Sequence, residues 1–296
     1  MGGGTTRADL PGQRPVTLTR ETRLASVLTQ LGIPKLWGED PERLWPFIRS
    51  WLRPVMGMIC PSSGYGVERV PTEGGAVVAA NHFSAADPPL IGVHSPRTIY
   101  YMTKIELLSI PVVGEMLRWT GAFPVRRGES DRDSVKLARW LAREGHLVGM
   151  FMEGTRQLSG HPGDVHSGAV MIAVQEGVPI VPCGIDTFGW SLRSRRRCCV
   201  VWGEPILLDD APRSGKGYKE GAAIVEQELN LLWRQATDAV ANGFPAMLDD
   251  GTARSEMVRL SAGRPMPDLQ PWPDEPWAEG PLGPLYRPRR SRPATA

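Results

Sequence analysis

Short apolar runs recur along the chain from Val67 onward, separated by stretches with helical spacing. Ala76 to Ala80 (AVVAA), Thr98 to Met102 (TIYYM), Leu147 to Phe151 (LVGMF) and Pro179 to Ile185 (PIVPCGI) are apolar on both faces, as strands covered by helices are. Cys198 to Trp202 is a later candidate of the same kind. Ser130 to Arg143 begins on a serine followed by acids and repeats its apolar residues at Val135, Leu137, Ala138 and Leu141. Gly145 closes it just past the end, so the pattern predicts a helix. Ser167 to Gln175 and Ala222 to Val240 predict two more, the second long and amphipathic. This alternation predicts an α/β domain over residues 65–245.

The flanks read differently. Residues 1–20 are rich in Gly, Thr and Arg, lack the apolar core of a signal peptide and read as a disordered leader. Residues 21–64 hold the segment Leu44 to Cys60, which carries Trp45, Phe47, Ile48, Trp51, Leu52, Val55, Met56 and Ile59. Arg49, Arg53, Pro46 and Pro54 interrupt it, so it is no spanning helix. Interleaved arginines and aromatics suit a helix lying in the plane of lipid headgroups, and equally one docked on its own domain. Residues 246–296 form a Pro- and Arg-rich extension ending in Arg287, Arg289, Arg290 and Arg292, read as a solvated tail.

A formal net charge of +2 is too small to argue for nucleic acid by itself, and no nucleic acid is expected as a partner. The 41% hydrophobic and 22% charged content is ordinary for a globular protein. Cys60, Cys183, Cys198 and Cys199 form no C-x-x-C pair, so neither zinc nor a redox dithiol is implied, and reduced thiols in the cytoplasm are expected.

The candidate chemistry sits where strands end. Asn81-His82-Phe83-Ser84-Ala85-Ala86-Asp87 follows AVVAA directly, and ligands of open α/β sheets bind at the carboxyl ends of strands. Pro88 suits a first helical position, which predicts Asp87 as the N-cap of the next helix. That loop would let Asp87 accept a hydrogen bond from one nitrogen of His82 and leave the other as a base. Taken alone, a pair at this spacing reads more readily as a capped helix beside an ordinary histidine. Further polar clusters follow later strands: Lys104 after TIYYM, Arg126 and Arg127 in GAFPVRRG, and Glu153-Gly154-Thr155-Arg156 after LVGMF. Arginine forks bind phosphate bidentately, so the set suggests one anion-binding cleft.

The order and spacing of NHFSAAD, GAFPVRRG, FMEGTR and VPIVPCG resemble the four blocks of the glycerolipid acyltransferase family, most closely its lysophosphatidic acid acyltransferases. The resemblance covers Val67 to Ile185. It implies a single α/β acyltransferase domain with a mixed sheet flanked by helices, preceded by an amphipathic interfacial segment. It also implies His82 as general base and Asp87 as its orienting partner. Lys104, Arg126, Arg127, Glu153, Gly154, Thr155 and Arg156 would then serve the acceptor's phosphate, and Pro182 the donor side. The expected donor is acyl-CoA or an acyl carrier protein, the acceptor a lysophospholipid, and no cofactor or metal is expected. The expected location is peripheral, on the cytoplasmic face of the cell membrane.

Met152 stands where the family usually has proline, Gln157 where serine is common and Arg126 where aspartate is frequent, which leaves the acceptor open. Glycerol-3-phosphate, another lysophospholipid or a lyso-glycolipid are the alternatives, and a non-catalytic lipid-binding protein or a hydrolase the remoter ones. No G-x-S-x-G motif offers a serine nucleophile. The cluster Arg193, Arg195, Arg196 and Arg197 reads as a solvated loop or as a site for anionic headgroups or coenzyme A phosphates.

Overall fold

The strand AVVAA, here β2 (Ala76–Ala80), lies at the heart of the sheet, and all five of its residues are buried. In this computed structural model, residues 41–111, 114, 117, 120–125, 132–242 and 287–288 are described. The expected leader (residues 1–20), the segment 21–40 and the C-terminal extension (246–296, apart from 287–288) therefore lie outside the described residues. The other strands are β1 (Ser62–Tyr65), β3 (Ile99–Lys104), β4 (Phe123–Val125), β5 (Leu147–Phe151), β6 (Ile180–Asp186), β7 (Cys198–Trp202), β8 (Ile206–Leu207) and β9 (Arg287–Pro288). They run β1-β7-β6-β2-β5-β3-β4 across the sheet, with β8 beside β6 and β9 beside β8.

The sheet is mixed. β6, β2, β5, β3 and β4 are mutually parallel, whereas β7 pairs antiparallel with β6 and parallel with β1. A parallel sheet needs helices on both faces, and the sequence supplies them. The helices are α1 (Pro41–Ile59), α2 (Asp87–Val93), α3 (Ile105–Leu108), α4 (Arg132–Arg143), α5 (Gly168–Glu176) and α6 (Gly215–Asn242). Ala76, Val78 and Ala80 of β2 meet Leu90 and Ile91 of α2 and Met56 of α1 in one core cluster. On the opposite face Leu232 and Ala236 of α6 pack on Val201 and Cys199 of β7. α6 also crosses β6 at Gly184, where an added Cβ would lie 2.3 Å from the Leu232 backbone. Any side chain there would push the helix off the sheet.

Helix ends follow capping chemistry. Past α4, His146 N–H donates to Leu141 O at 2.9 Å and Gly145 N–H to Ala142 O at 3.2 Å, with Gly145 at φ 92°. That is the Schellman arrangement that the glycine predicts. α6 starts seven residues before the predicted Ala222, because Ser214 Oγ accepts Gly217 N–H at 3.2 Å. The glycine-rich first turns had hidden it.

The segment Leu44 to Cys60 is an amphipathic helix, as expected. Pro46 and Pro54 do not break it: α1 runs as one helix through both. Each proline only removes one backbone donor to the carbonyl four residues earlier. Trp45, Leu52, Met56 and Ile59 face the domain, while Phe47, Trp51, Val55 and Met58 are exposed. The helix is thus docked on its own domain by one apolar stripe and offers a second outward. β1 straddles the expected boundary between residues 64 and 65 and belongs to the sheet. Among the described residues, no helix is long and apolar enough to cross a membrane.

Candidate active site at the carboxyl ends of the parallel strands

Because five neighbouring strands run parallel, their carboxyl ends share one edge of the sheet. Asn81-His82 leaves β2 there, Met152 to Arg156 leaves β5, Lys104 ends β3, and Thr187 follows β6. β4 ends at Val125, opposite Lys104 in register. Arg126 and Arg127 are the next two residues in the sequence. Those two arginines lie outside the described residues.

His82 and Asp87 come together at this edge. The ring Nδ1 is 2.7 Å from Asp87 Oδ2. Asp87 is fully buried, and its Oδ2 also accepts the backbone N–H groups of Phe83 at 2.6 Å and Ser84 at 2.9 Å. Its Oδ1 accepts the hydroxyls of Ser84, at 2.9 Å, and of Thr187. A buried carboxylate is costly unless it is hydrogen-bonded, and these donors supply that compensation.

The loop is made by a chain choice that the sequence reading misplaced. Asp87 is not an N-cap but the first residue of α2, with Ala86 at the cap position and no side-chain cap bond. Pro88 and Pro89 occupy the next two positions, where a cap would find its donors, and neither has an N–H. With nothing to cap, the carboxylate turns back over the loop to Phe83, Ser84 and His82.

Other contacts fix the imidazole. Its ring stacks on Phe151 at 4.0 Å between centroids, and Phe151 stacks in turn on Tyr101 at 5.7 Å. Gln157 N–H donates to His82 O at 2.8 Å and ties the β5 loop to the β2 loop. Asn81 Nδ2 donates to Ile185 O and its Oδ1 accepts Ile185 N–H, both at 2.8 Å.

The residues after β5 divide into two groups. Thr155 and Arg156 are exposed, as is Lys104, and Gly154 takes φ +68° to make the turn between β5 and the loop. Glu153 is 5% exposed and points inward, its Oε1 accepting Gly163 N–H at 3.2 Å. Burial pushes its carboxyl up to about 7; Asp87's charge adds to this, against hydrogen bonds from the Gly163 and His82 backbones. Glu153 is thus tied to the Gly163 backbone, while Thr155 and Arg156 face solvent. Thr187 was absent from the sequence reading; its signal was the polar pair Asp186-Thr187 ending an apolar strand.

Comparisons with known proteins agree with this architecture. The family described as Acyltransferase matches residues 63–186. The 1-acyl-sn-glycerol-3-phosphate acyltransferase of Bacillus subtilis is 30% identical over 190 residues, 63% of this chain and 94% of that protein. A protein of the same name from Streptococcus pneumoniae is 28% identical over 162 residues, 53% of this chain and 60% of the other. The solved structure of the 1-acyl-sn-glycerophosphate acyltransferase PlsC from Thermotoga maritima shares the fold, with a TM-score of 0.52 at 20% identity. The match covers 72% of this chain and 95% of that one. The chain belongs to the acyltransferase family that includes the 1-acyl-sn-glycerol-3-phosphate acyltransferases, enzymes of phospholipid synthesis.

Proposed function

We propose that this enzyme transfers a fatty acyl group from acyl-CoA, or an acyl carrier protein, to the free hydroxyl of lysophosphatidate, giving phosphatidate. The observation that carries the proposal is the 2.7 Å contact between His82 Nδ1 and the buried Asp87 carboxylate. With the Nδ1 proton held on Asp87, Nε2 is the basic nitrogen of the neutral ring. It takes the acceptor's hydroxyl proton as that oxygen attacks the thioester carbonyl. The C–S bond then breaks, and the imidazolium returns the proton to the departing thiolate. Asp87 stabilises the imidazolium in between.

Lys104, Thr155 and Arg156 stand exposed at the same strand ends, and Arg126 and Arg127 follow β4 in the sequence. The lysine and arginines supply the charge for the acceptor's phosphate and Thr155 a hydroxyl, with Gly154 allowing close backbone approach. Glu153, buried and bonded to Gly163, holds the loop that carries Thr155 and Arg156. The 1-acyl-sn-glycerol-3-phosphate acyltransferases among the relatives support the choice of acceptor.

The enzyme works at the cytoplasmic face of the membrane, held peripherally by the outward stripe of α1, Phe47, Trp51, Val55 and Met58. A panel of acceptors with one labelled acyl-CoA tests the assignment. Lysophosphatidate should far outpace glycerol-3-phosphate, lysophosphatidylcholine and a lyso-glycolipid. Equal use of an acceptor without a phosphate monoester would overturn it.

A further inference from the structure

The loop between β6 and β7, residues 187–197, holds four arginines and no acid. Leu192 is 69% exposed, and Phe188, Arg193, Arg195 and Arg197 are exposed beside it. From this combination we infer a second lipid-binding element, which seats the enzyme on anionic bilayer surface next to α1.

The loop is a preformed projection. Ser191 and Ser194 exchange bonds, N–H to Oγ, at 2.9 and 3.0 Å, and Arg195 N–H donates to Ser191 O at 3.0 Å. Arg196 forms a double ion pair with Asp186, at 3.0 and 3.1 Å. Arg195, at φ +44°, donates to Met58 O, and Trp190 Nε1 donates to Ile59 O at 3.1 Å. The loop is therefore bonded to the last turn of α1, where Met58 is 60% exposed.

A membrane that receives the outward face of α1 meets this loop at the helix's carboxyl end. Arg196 is spent on Asp186 and Arg195 on α1, which leaves Arg193 and Arg197 as the charges to offer lipid phosphates. Exposed Leu192 and Phe188 beside them fit the boundary between headgroups and acyl chains. Leu192, an aliphatic side chain 69% exposed beside the arginines, matches acyl chains rather than the phosphates of coenzyme A, so the occupant is the bilayer.

This inference rests on the membrane reading of α1, and the experiment separates the two. The full-length chain is sedimented with vesicles of phosphatidylcholine alone and of phosphatidylcholine with phosphatidylglycerol, as wild type, Arg193→Ser/Arg197→Ser, Leu192→Ser and Trp51→Glu. Two surface arginines near an anionic membrane change partitioning by roughly thirtyfold. The double variant should lose about that factor on anionic vesicles only, and the loss should vanish in high salt. Leu192→Ser should weaken binding to both vesicles, with turnover on a soluble short-chain acceptor preserved in all loop variants. Unchanged partitioning of both loop variants overturns the inference, even where Trp51→Glu confirms α1. A raised KM for acyl-CoA with unchanged vesicle binding also overturns it, in favour of the nucleotide. If Trp51→Glu has no effect while the loop variants do, the loop stands and α1 falls.

Discussion

His82 and His94 flank the same short helix, α2, and their surroundings are opposite. His82 faces a fully buried carboxylate and stacks on Phe151. His94 caps the far end of α2, where its Nε2 lies 3.0 Å from Ser62 Oγ. Burial, together with the charges of Arg53 and Arg49 on α1, pushes its pKa down to about 4. Gly64 of β1 makes room for it, since a Cβ there would come within 2.4 Å of the ring. One imidazole is thus given a carboxylate partner and the other is buried beside cations. The partner makes a histidine a candidate base, and burial alone does not.

The contrast breaks most visibly in turnover. His82→Ala should lower it by on the order of 10²–10⁴-fold with the fold intact by circular dichroism, while His94→Ala should stay within a few-fold of wild type. Equal losses from the two would erase the distinction. Asp87→Asn should cost about a hundredfold or more, because the amide can no longer hold the ring in the required tautomer. It should also lower stability, since an amide is a weaker acceptor for the loop's donors.

Acidity sharpens the comparison at the next level. Glu153 has its pKa raised from 4.5 to about 7, so between these values the folded state holds more protons than the unfolded one. Stability from this group is therefore present below about pH 4.5 and is lost as pH rises towards 7. The loss is about 3 kcal/mol, and Glu153→Gln should abolish it in denaturant titrations run across this range. His94 tilts the other way: its depressed pKa means stability that is lost as pH falls from 6.5 towards 4. His94→Gln should flatten that lower limb. Smallest is Thr187→Val, which removes one hydrogen bond to Asp87. It should cost about 1.5 kcal/mol, roughly tenfold in turnover if that bond orients the pair. A shift in the acidic limb of the pH–rate profile would separate this from a general loosening of the fold.

Much of the sheet was legible in the chain because its strands are buried on both faces. AVVAA, LVGMF and CCVVW occupy β2, β5 and β7 to the residue. β1 was not legible, since Ser62-Ser63-Gly64-Tyr65 has no apolar pattern and becomes a strand only by pairing with β7. The proximity of His82 and Asp87 was legible as a local feature five residues long. The role given to Asp87 in α2 was not, because cap preferences rank residues one at a time and Pro88-Pro89 removes the donors a cap needs. Thr187 stayed hidden for a different reason. It lies a hundred residues from Asp87 and meets it only because β6 and β2 are neighbours.

That meeting depends on Asn81. Its amide donates to and accepts from Ile185, as a peptide group of a neighbouring strand would. The sheet's ladder thus gains one rung made of side chain, at the point where the backbone of β2 departs. His82 is the next residue on one rail and Thr187 stands two residues along on the other, both converging on Asp87. The spacing of the reactive loop is therefore inherited from the spacing of two hydrogen-bonded strands, about 4.8 Å, and varies as little as that does. An aspartate at position 81 would keep the acceptor but lose the donor. The rung would be half made, and the two rails would be free to part where the proton is to be held.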